Sequence, residues 1–127
     1  MKLELEKAYF FLRMNNLRKT TAFGSPFYES MQVVSAEECS RNASKKVIFK
    51  LNQFPEMTTN LHGNCHGGAL ATYIDLTTTI AIYAFDKKGR AHASTDLNMR
   101  FFHPGPISET KPIKIEAQVD KISRAFA

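Results

Sequence analysis

The densest run of chemically capable residues lies between Asn60 and Gly68, where the sequence reads Asn-Leu-His-Gly-Asn-Cys-His-Gly-Gly. Gly67 and Gly68 fall where a polar loop meets a long apolar segment, so they are predicted to open a helix. The first turn of a helix has unpaired N–H donors and the positive end of the helix dipole. Such a position can stabilise the oxyanion formed when a carbonyl is attacked. A tight turn alone would also account for two adjacent glycines.

Asp75 is the second chemically notable residue, because it falls inside the apolar run from 69 to 85. A carboxylate in a buried helix is costly unless it is paired or functional; the simpler interpretation is an exposed or hydrogen-bonded helical aspartate. Gly67 and Asp75 are separated by about 12 Å along a helix axis, so they cannot act on one carbonyl from the same helix. Two copies of the helix, antiparallel about a two-fold axis near Ala71, would bring them together. The functional interpretation therefore predicts a dimer with two shared sites.

Two other kinds of site are less compatible with the spacing. Cys65 beside His66 suggests a Cys–His nucleophile, but adjacent side chains at a helix entrance diverge. His62, Cys65 and His66 suggest zinc, but a structural site needs four ligands, commonly from two separated pairs, and the second pair is missing. We therefore predict no metal and no cofactor.

The elements that must position these residues follow an α+β order. Residues 2–19 have the loosely amphipathic pattern of a helix. Residues 69–85 are apolar around most of the helix circumference, which predicts a buried central helix. Four further segments are predicted as strands, the last two from clear polar–apolar alternation: 28–37, 44–53, 92–101 and 113–120. One buried helix wrapped by an antiparallel sheet is the predicted arrangement.

The combination of Asn60, His66-Gly67-Gly68 and Asp75, with Ser94-Thr95-Asp96-Leu97-Asn98 about one helix length later, resembles the small hotdog-fold acyl-CoA thioesterases. Within that family it is most similar to the phenylacetyl-CoA thioesterase and mammalian small acyl-CoA thioesterase type, over roughly residues 28–127. The resemblance implies a hotdog fold, with sites formed across a dimer. We expect a single domain over 1–127 with an N-terminal helical extension at 1–22. The family has further strands beyond the point where this sequence stops, so the C-terminus is expected to be truncated.

The resemblance also implies a role for each residue of the loop and the first helical turn. Gly67 would offer its backbone N–H to the thioester oxygen. Asn60 would help to polarise the carbonyl or hold the site. His66, as a positioning residue, and Gly68 would belong to the substrate-binding part of the motif.

The remaining two site residues are assigned to water activation by the same resemblance. Asp75 of the partner chain would act as general base on water or, alternatively, as a nucleophile. Ser94 would orient Asp75 or the water. A thiolate leaves readily, so activated water and an oxyanion site suffice without a metal.

Charge and composition bear on partners and compartment. The net charge is +5 and the pI about 9.3, but no basic run is interleaved with aromatics, so no nucleic acid is expected. No integral membrane segment is expected either. Two cysteines make no disulfide framework, and Glu4 and Glu6 oppose a secretion signal. We predict an intracellular, cytoplasmic protein; Arg13, Arg18 and Lys19 would suit the mitochondrial alternative.

The predicted helix start at Gly67, the carboxylate of Asp75 and the family resemblance together predict hydrolysis of acyl-CoA thioesters to a free acid and CoA. The enzyme is expected to be a homodimer or a dimer of dimers. Two alternatives stay open on the same fold. One is another hotdog activity such as an acyl dehydratase, which relies on a different His-plus-acid arrangement. The other is a non-catalytic protein that binds acyl-CoA or serves as a scaffold.

Overall fold

The structure, a computed structural model, describes residues 2–17, 22–41, 43–107 and 111–123. Its helices and strands follow in the order α1 (Lys2–Leu17), α2 (Ser25–Ser30), β1 (Gln32–Cys39), β2 (Ser44–Leu51), α3 (Gly67–Phe85) and β3 (Ile113–Val119). A short 3-10 turn, Glu56–Thr58, lies between β2 and α3. This order confirms the predicted α+β arrangement.

The three strands form one antiparallel sheet in the order β1-β2-β3. β2 lies in the centre, where Val47 pairs with Ala36 on β1 and with Ala117 on β3. Val47, Phe49 and Leu51 are fully buried. This alternation is the one predicted from residues 44–53, and it gives the sheet one face that faces the core.

Helix α3 packs across that face and supplies a large share of the core, which confirms the predicted central helix. Its buried residues recur at helical spacing: Ala69, Tyr73, Thr77, Ile80, Ala81, Ala84 and Phe85. Of the described residues, α3 is the one helix long and apolar enough to cross a membrane by length and composition. The core helix of a globular domain meets the same criterion.

Four threonines of α3 donate their hydroxyls to carbonyl oxygens of the preceding turn. The distances from Oγ1 to the carbonyl four residues earlier are 2.9 Å for Thr72, 2.7 Å for Thr77, 2.8 Å for Thr78 and 2.9 Å for Thr79. Thr77 can therefore be buried in the core without an unpaired hydroxyl.

The N-terminal segment differs from the prediction in one element. Helix α1 agrees with the predicted 2–19, apart from its last two residues, which lie outside the described part of the chain. The prediction that a strand begins at residue 28 is wrong, because Ser25–Ser30 form α2 and β1 begins at Gln32. Pro26 lies in the first turn of α2, where its fixed φ favours a helix, and Phe27 is buried.

Residues 92–101 do not form the predicted strand. They are assigned to no helix or strand, are largely exposed, and join no ladder with the described residues. Leu97 and Phe101 expose 45% and 58% of their surfaces. Polar–apolar alternation indicates which face a segment would bury, but a strand also needs a neighbour for its backbone groups.

A buried carboxylate closes the C-terminal end of α3. Asp86 is 1% exposed and accepts hydrogen bonds from Arg90 Nε at 2.9 Å and Nη2 at 3.2 Å. His92 Nε2 lies 3.1 Å away, and the backbone N–H of Lys88 donates at 3.1 Å. The hydrogen bond from Arg90 is the main cause that holds the pKa of Asp86 well below its ordinary value.

This carboxylate also connects separate elements. Arg90 Nη2 donates to the carbonyl of Ser123, after β3, at 3.0 Å. Lys7 on α1 donates to the carbonyl of Asp86 at 2.7 Å. The Asp86 network therefore joins α1, α3 and the segment after β3.

We expect Asp86→Asn to lower the Tm by several degrees near neutral pH, because Arg90 loses its charged partner. The folded pKa is depressed, so the ionised group contributes its stability above the ordinary value of 3.8. That contribution is lost as the pH falls through the folded value. In thermal melts against pH, the difference in Tm between the two proteins should therefore begin to shrink as the pH falls below 3.8. Glu38→Gln serves as the control: it breaks the exposed 3.5 Å pair with Lys45 and should change the Tm little. An equal Tm of Asp86→Asn and wild type at neutral pH would refute the role of Asp86.

Candidate functional site

The loop before α3 is folded around the side chain of Asn60. Asn60 Oδ1 accepts the backbone N–H groups of His62 at 2.9 Å and Asn64 at 3.1 Å, and Asn60 N donates to Asn64 O at 2.7 Å. Gly63 has a φ of 76°, which suits glycine at this tight turn. The oxygen of Asn60 is thus used by the loop itself, while its Nδ2 amide has no acceptor among the described residues and can still donate.

Two backbone hydrogen bonds hold the end of this loop. Cys65 N donates to Gly105 O at 2.7 Å, and His66 N donates to Thr58 O at 2.6 Å. A Cβ at Gly105 would lie 2.9 Å from the ring of Phe54, so this close approach requires glycine. The entrance to α3 is therefore fixed by the 3-10 turn on one side and by the loop around residue 105 on the other.

Cys65 is buried, and burial raises the pKa of its thiol. Its Sγ lies 3.8 Å from Thr58 Oγ1. The neighbouring His66 uses Nδ1 to accept from the N–H of Gly68. A Cys65–His66 nucleophile therefore has no support in this geometry, and Cys65 is a core residue.

His66 is the N-cap of α3, with φ −61° and ψ 140°. Its Nδ1 accepts the Gly68 N–H at 2.9 Å, which occupies that donor. The N–H of Gly67 has no acceptor among the described residues. Of the two glycines singled out from the sequence, Gly67 offers the available N–H at the positive end of the helix dipole. A Cβ at Gly67 would lie 3.7 Å from Phe101 Cζ.

Asp75 lies two turns further along α3 and is half-buried. Ser94 Oγ donates a short hydrogen bond to Asp75 Oδ1. The structure thus brings together two of the predicted site residues, which are 19 positions apart in the sequence. A carboxylate held by one hydroxyl and partly open to solvent can accept a proton from water.

The chain places its six predicted site residues in two separate groups. Gly67, Gly68, Asn60 and His66 lie at the start of α3. The Asp75–Ser94 pair lies about 12 Å away along the helix axis. No carbonyl held by Gly67 can contact Asp75 of the same chain.

A hollow beside Asp75 was missed by the sequence analysis. It has a volume of about 360 Å³ and is called here the Tyr28 hollow. It is lined by Phe23, Gly24, Tyr28, Ala71, Thr72, Asp75, Leu76 and Leu97. Burial, and secondarily the charge of Asp75, raise the pKa of the Tyr28 hydroxyl. The sequence feature that could have indicated this site is Gly24-Ser25-Pro26, where the short helix α2, which contains Tyr28, begins.

A second hollow, of about 310 Å³, includes Ser94 in its lining. It is lined by Thr78, Thr79, Ile82 and residues 91–97. Within the part of the chain that the structure describes, no three His, Cys, Asp or Glu residues are grouped so that they could hold a metal ion.

Comparison with known proteins gives three matches. Residues 62–127 match the thioesterase superfamily. A mouse (Mus musculus) protein, acyl-coenzyme A thioesterase 13, is 31% identical over 99 residues, which cover 78% of this chain and 64% of the mouse protein. The crystal structure of zebrafish thioesterase superfamily member 2 superposes with a TM-score of 0.74 at 28% identity, covering 94% of this chain and 78% of that one. The matches confirm the predicted hotdog thioesterase fold.

Proposed function

The chain belongs to the thioesterase superfamily, and from that membership we propose that it hydrolyses acyl-CoA thioesters to a free acid and CoA. The match to a mouse acyl-coenzyme A thioesterase supports this substrate class. The proposal rests on two groups at separate positions of α3. One is the available backbone N–H of Gly67, and the other is the carboxylate of Asp75, which accepts a hydrogen bond from Ser94. Each group supplies one half of what thioester hydrolysis requires.

We propose further that the two halves meet across a homodimer. An antiparallel pairing of two α3 helices about an axis near Ala71 would place Gly67 of one protomer beside Asp75 of the other. Large apolar side chains are exposed around this part of the molecule, including Ile74 at 38%, Leu97 at 45% and Phe101 at 58%. Exposed large apolar side chains of this kind support the proposed subunit contact. Two such dimers could pair further into a tetramer.

The proposed reaction begins when Asp75 accepts a proton from water. The water oxygen forms a bond to the thioester carbon, and the carbonyl oxygen becomes an oxyanion that accepts the Gly67 N–H of the facing protomer. Collapse of this intermediate breaks the carbon–sulfur bond and releases the CoA thiolate, which takes up the proton from Asp75. Ser94 keeps the carboxylate oriented through its hydrogen bond to Oδ1.

The loop residues have supporting roles in this proposal. Asn60 fixes the loop through Oδ1 and can offer Nδ2 to the carbonyl or to the attacking water. His66 occupies the Gly68 N–H, which leaves Gly67 as the donor that faces the substrate. His66 thus acts by positioning the helix start.

A mixing experiment tests both the activity and the shared site. Gly67→Pro and Asp75→Asn proteins should each release little free thiol from acyl-CoA. Random subunit exchange after mixing equal amounts should restore about a quarter of wild-type activity, because half of the dimers are mixed and each has one intact site. Thiol release is followed with a chromogenic disulfide. Mixing two preparations of Asp75→Asn serves as the control, and it should restore nothing.

The outcomes also separate the alternatives. No recovery on mixing, with subunit exchange verified by mass spectrometry, would contradict the shared site. Release of thiol from a saturated acyl-CoA excludes an acyl dehydratase as the source, because dehydration leaves the thioester intact. Tight acyl-CoA binding without thiol release would instead favour a non-catalytic binding protein.

A further inference from the structure

Helix α2 presents a tyrosine to the candidate site, and this residue is not part of the motif on which the proposed function rests. Tyr28 is half-buried and lines the Tyr28 hollow together with Asp75. The hollow opens beside the carboxylate, so a group bound there adjoins the reacting carbonyl. The size and polarity of the group that fits the hollow therefore influence which acyl-CoA thioesters are hydrolysed.

The position of Tyr28 is fixed by its own helix. Phe27, the preceding residue, is buried and packs edge-on against Tyr73 of α3 with ring centroids 5.0 Å apart. Ser30 Oγ donates to Phe27 O at 2.8 Å and therefore accepts from the Tyr73 hydroxyl. Helix α2 is thus held against α3 at two points, one on either side of Tyr28.

Gly24 sets how closely the tyrosine ring lies against the start of α2. A Cβ at this position would approach Tyr28 Cε2 to 2.9 Å, which is too close without a shift of the ring. Glycine therefore allows the ring to pack on the backbone. The ring therefore forms the side of the hollow next to α2.

The chemistry of the lining indicates the kind of group that fits. The rings of Phe23 and Tyr28 and the side chains of Leu76 and Leu97 are apolar, and Asp75 is the one charged residue among the lining. An anionic group would be repelled by Asp75, whereas an apolar group gains by leaving water. A tyrosine hydroxyl is neutral at physiological pH, and burial raises the pKa of Tyr28 further.

We infer that the Tyr28 hollow receives the apolar tail of the acyl group and that Tyr28 is a specificity-determining residue which limits the length of that tail. This inference rests on the proposed thioesterase function. A hollow of about 360 Å³ with Asp75 at its edge favours acyl groups larger than acetyl. The tyrosine ring closes the side formed by α2.

The test compares kcat/KM for acetyl-, hexanoyl- and dodecanoyl-CoA in wild type, Tyr28→Ala and Tyr28→Phe. Tyr28→Ala removes the wall, so the ratio of dodecanoyl to hexanoyl activity should rise by roughly tenfold or more. Tyr28→Phe keeps the ring and should retain the wild-type ratio. Tyr9→Ala removes an exposed tyrosine of α1 and serves as the matched control. An unchanged ratio in folded Tyr28→Ala overturns the inference.

A second variant covers the case in which Tyr28→Ala does not fold. Leu97 also lines the hollow and is 45% exposed, so Leu97→Phe should fold and narrow the hollow. We expect it to lower the dodecanoyl to hexanoyl ratio, and no change would again overturn the inference. Should wild type release no thiol from any acyl-CoA, the proposed function fails. The same variants are then compared by calorimetric binding of the three acyl-CoAs, where Tyr28→Ala must still shift the length preference.

Discussion

Gly67→Pro is expected to lower kcat/KM for acyl-CoA hydrolysis by about 10²–10³-fold, the effect of deleting one oxyanion donor. Proline removes the single backbone N–H that the proposal assigns to the thioester oxygen. The loss should fall mainly on kcat, because the donor is needed most when charge develops on oxygen. Thiol-release kinetics on saturating acyl-CoA measure it directly.

The geometry of the helix start indicates that Gly67→Pro removes the backbone N–H without disturbing the rest of α3. Gly67 is the first residue of α3, where proline is well tolerated because no intrahelical hydrogen bond is lost. His66, the residue before it, has φ −61° and ψ 140°, the extended conformation that proline imposes on its predecessor. The helix should therefore keep its start, and circular dichroism and Tm should match wild type.

Gly67→Ala is the matched control, since alanine keeps the N–H. Its Cβ would make an ordinary contact of 3.7 Å with Phe101 Cζ, so most of the activity should survive. Equal losses in the alanine and proline variants would mean that space, rather than the donor, matters at this position. Full activity of Gly67→Pro would refute the assignment of the oxyanion donor.

Asp75→Asn should reduce kcat by about 10²–10⁴-fold, the usual contribution of a general base. The amide has nearly the same shape as the carboxylate and can still accept from Ser94, so the fold and KM should change little. Steady-state thiol release and thermal melts check the two halves of this expectation. Asp120→Asn, which neutralises an exposed aspartate after β3, should retain activity.

A different result would be informative about the base. Wild-type turnover by Asp75→Asn, in a protein with unchanged Tm, would mean that water is activated elsewhere. A parallel loss of activity and Tm would instead indicate that Asp75 supports the structure through its contact with Ser94.

Sequence reasoning succeeded where the physics is local. The apolar run of α3, with Gly67 at its start, follows from helical periodicity and capping preferences. The buried face of β2 follows from the recurrence of Val47, Phe49 and Leu51 at every second position. A carboxylate within an apolar helix, such as Asp75, is noticeable in the sequence because burying an unpaired charge costs free energy.

The parts that the sequence did not reveal depend on partners distant along the chain. Alternation over 92–101 resembles a strand, yet the segment joins no ladder with the described residues. Tyr28 acquires its position in part because Phe27 packs on Tyr73, 46 residues later in the sequence. The use of His66 Nδ1 as a helix cap, which leaves Gly67 as the available donor, depends on a side-chain rotamer.

The threonines of α3 have a consequence for how the protomers could associate. Thr72, Thr78 and Thr79 lie on the part of the helix that is not deeply buried, yet each hydroxyl already donates to its own helix. Covering this surface with another subunit would strip water from hydroxyls that need no new acceptor, so little desolvation cost opposes contact. A helix that satisfies its own polar side chains can meet a second helix at close range through methyl groups alone.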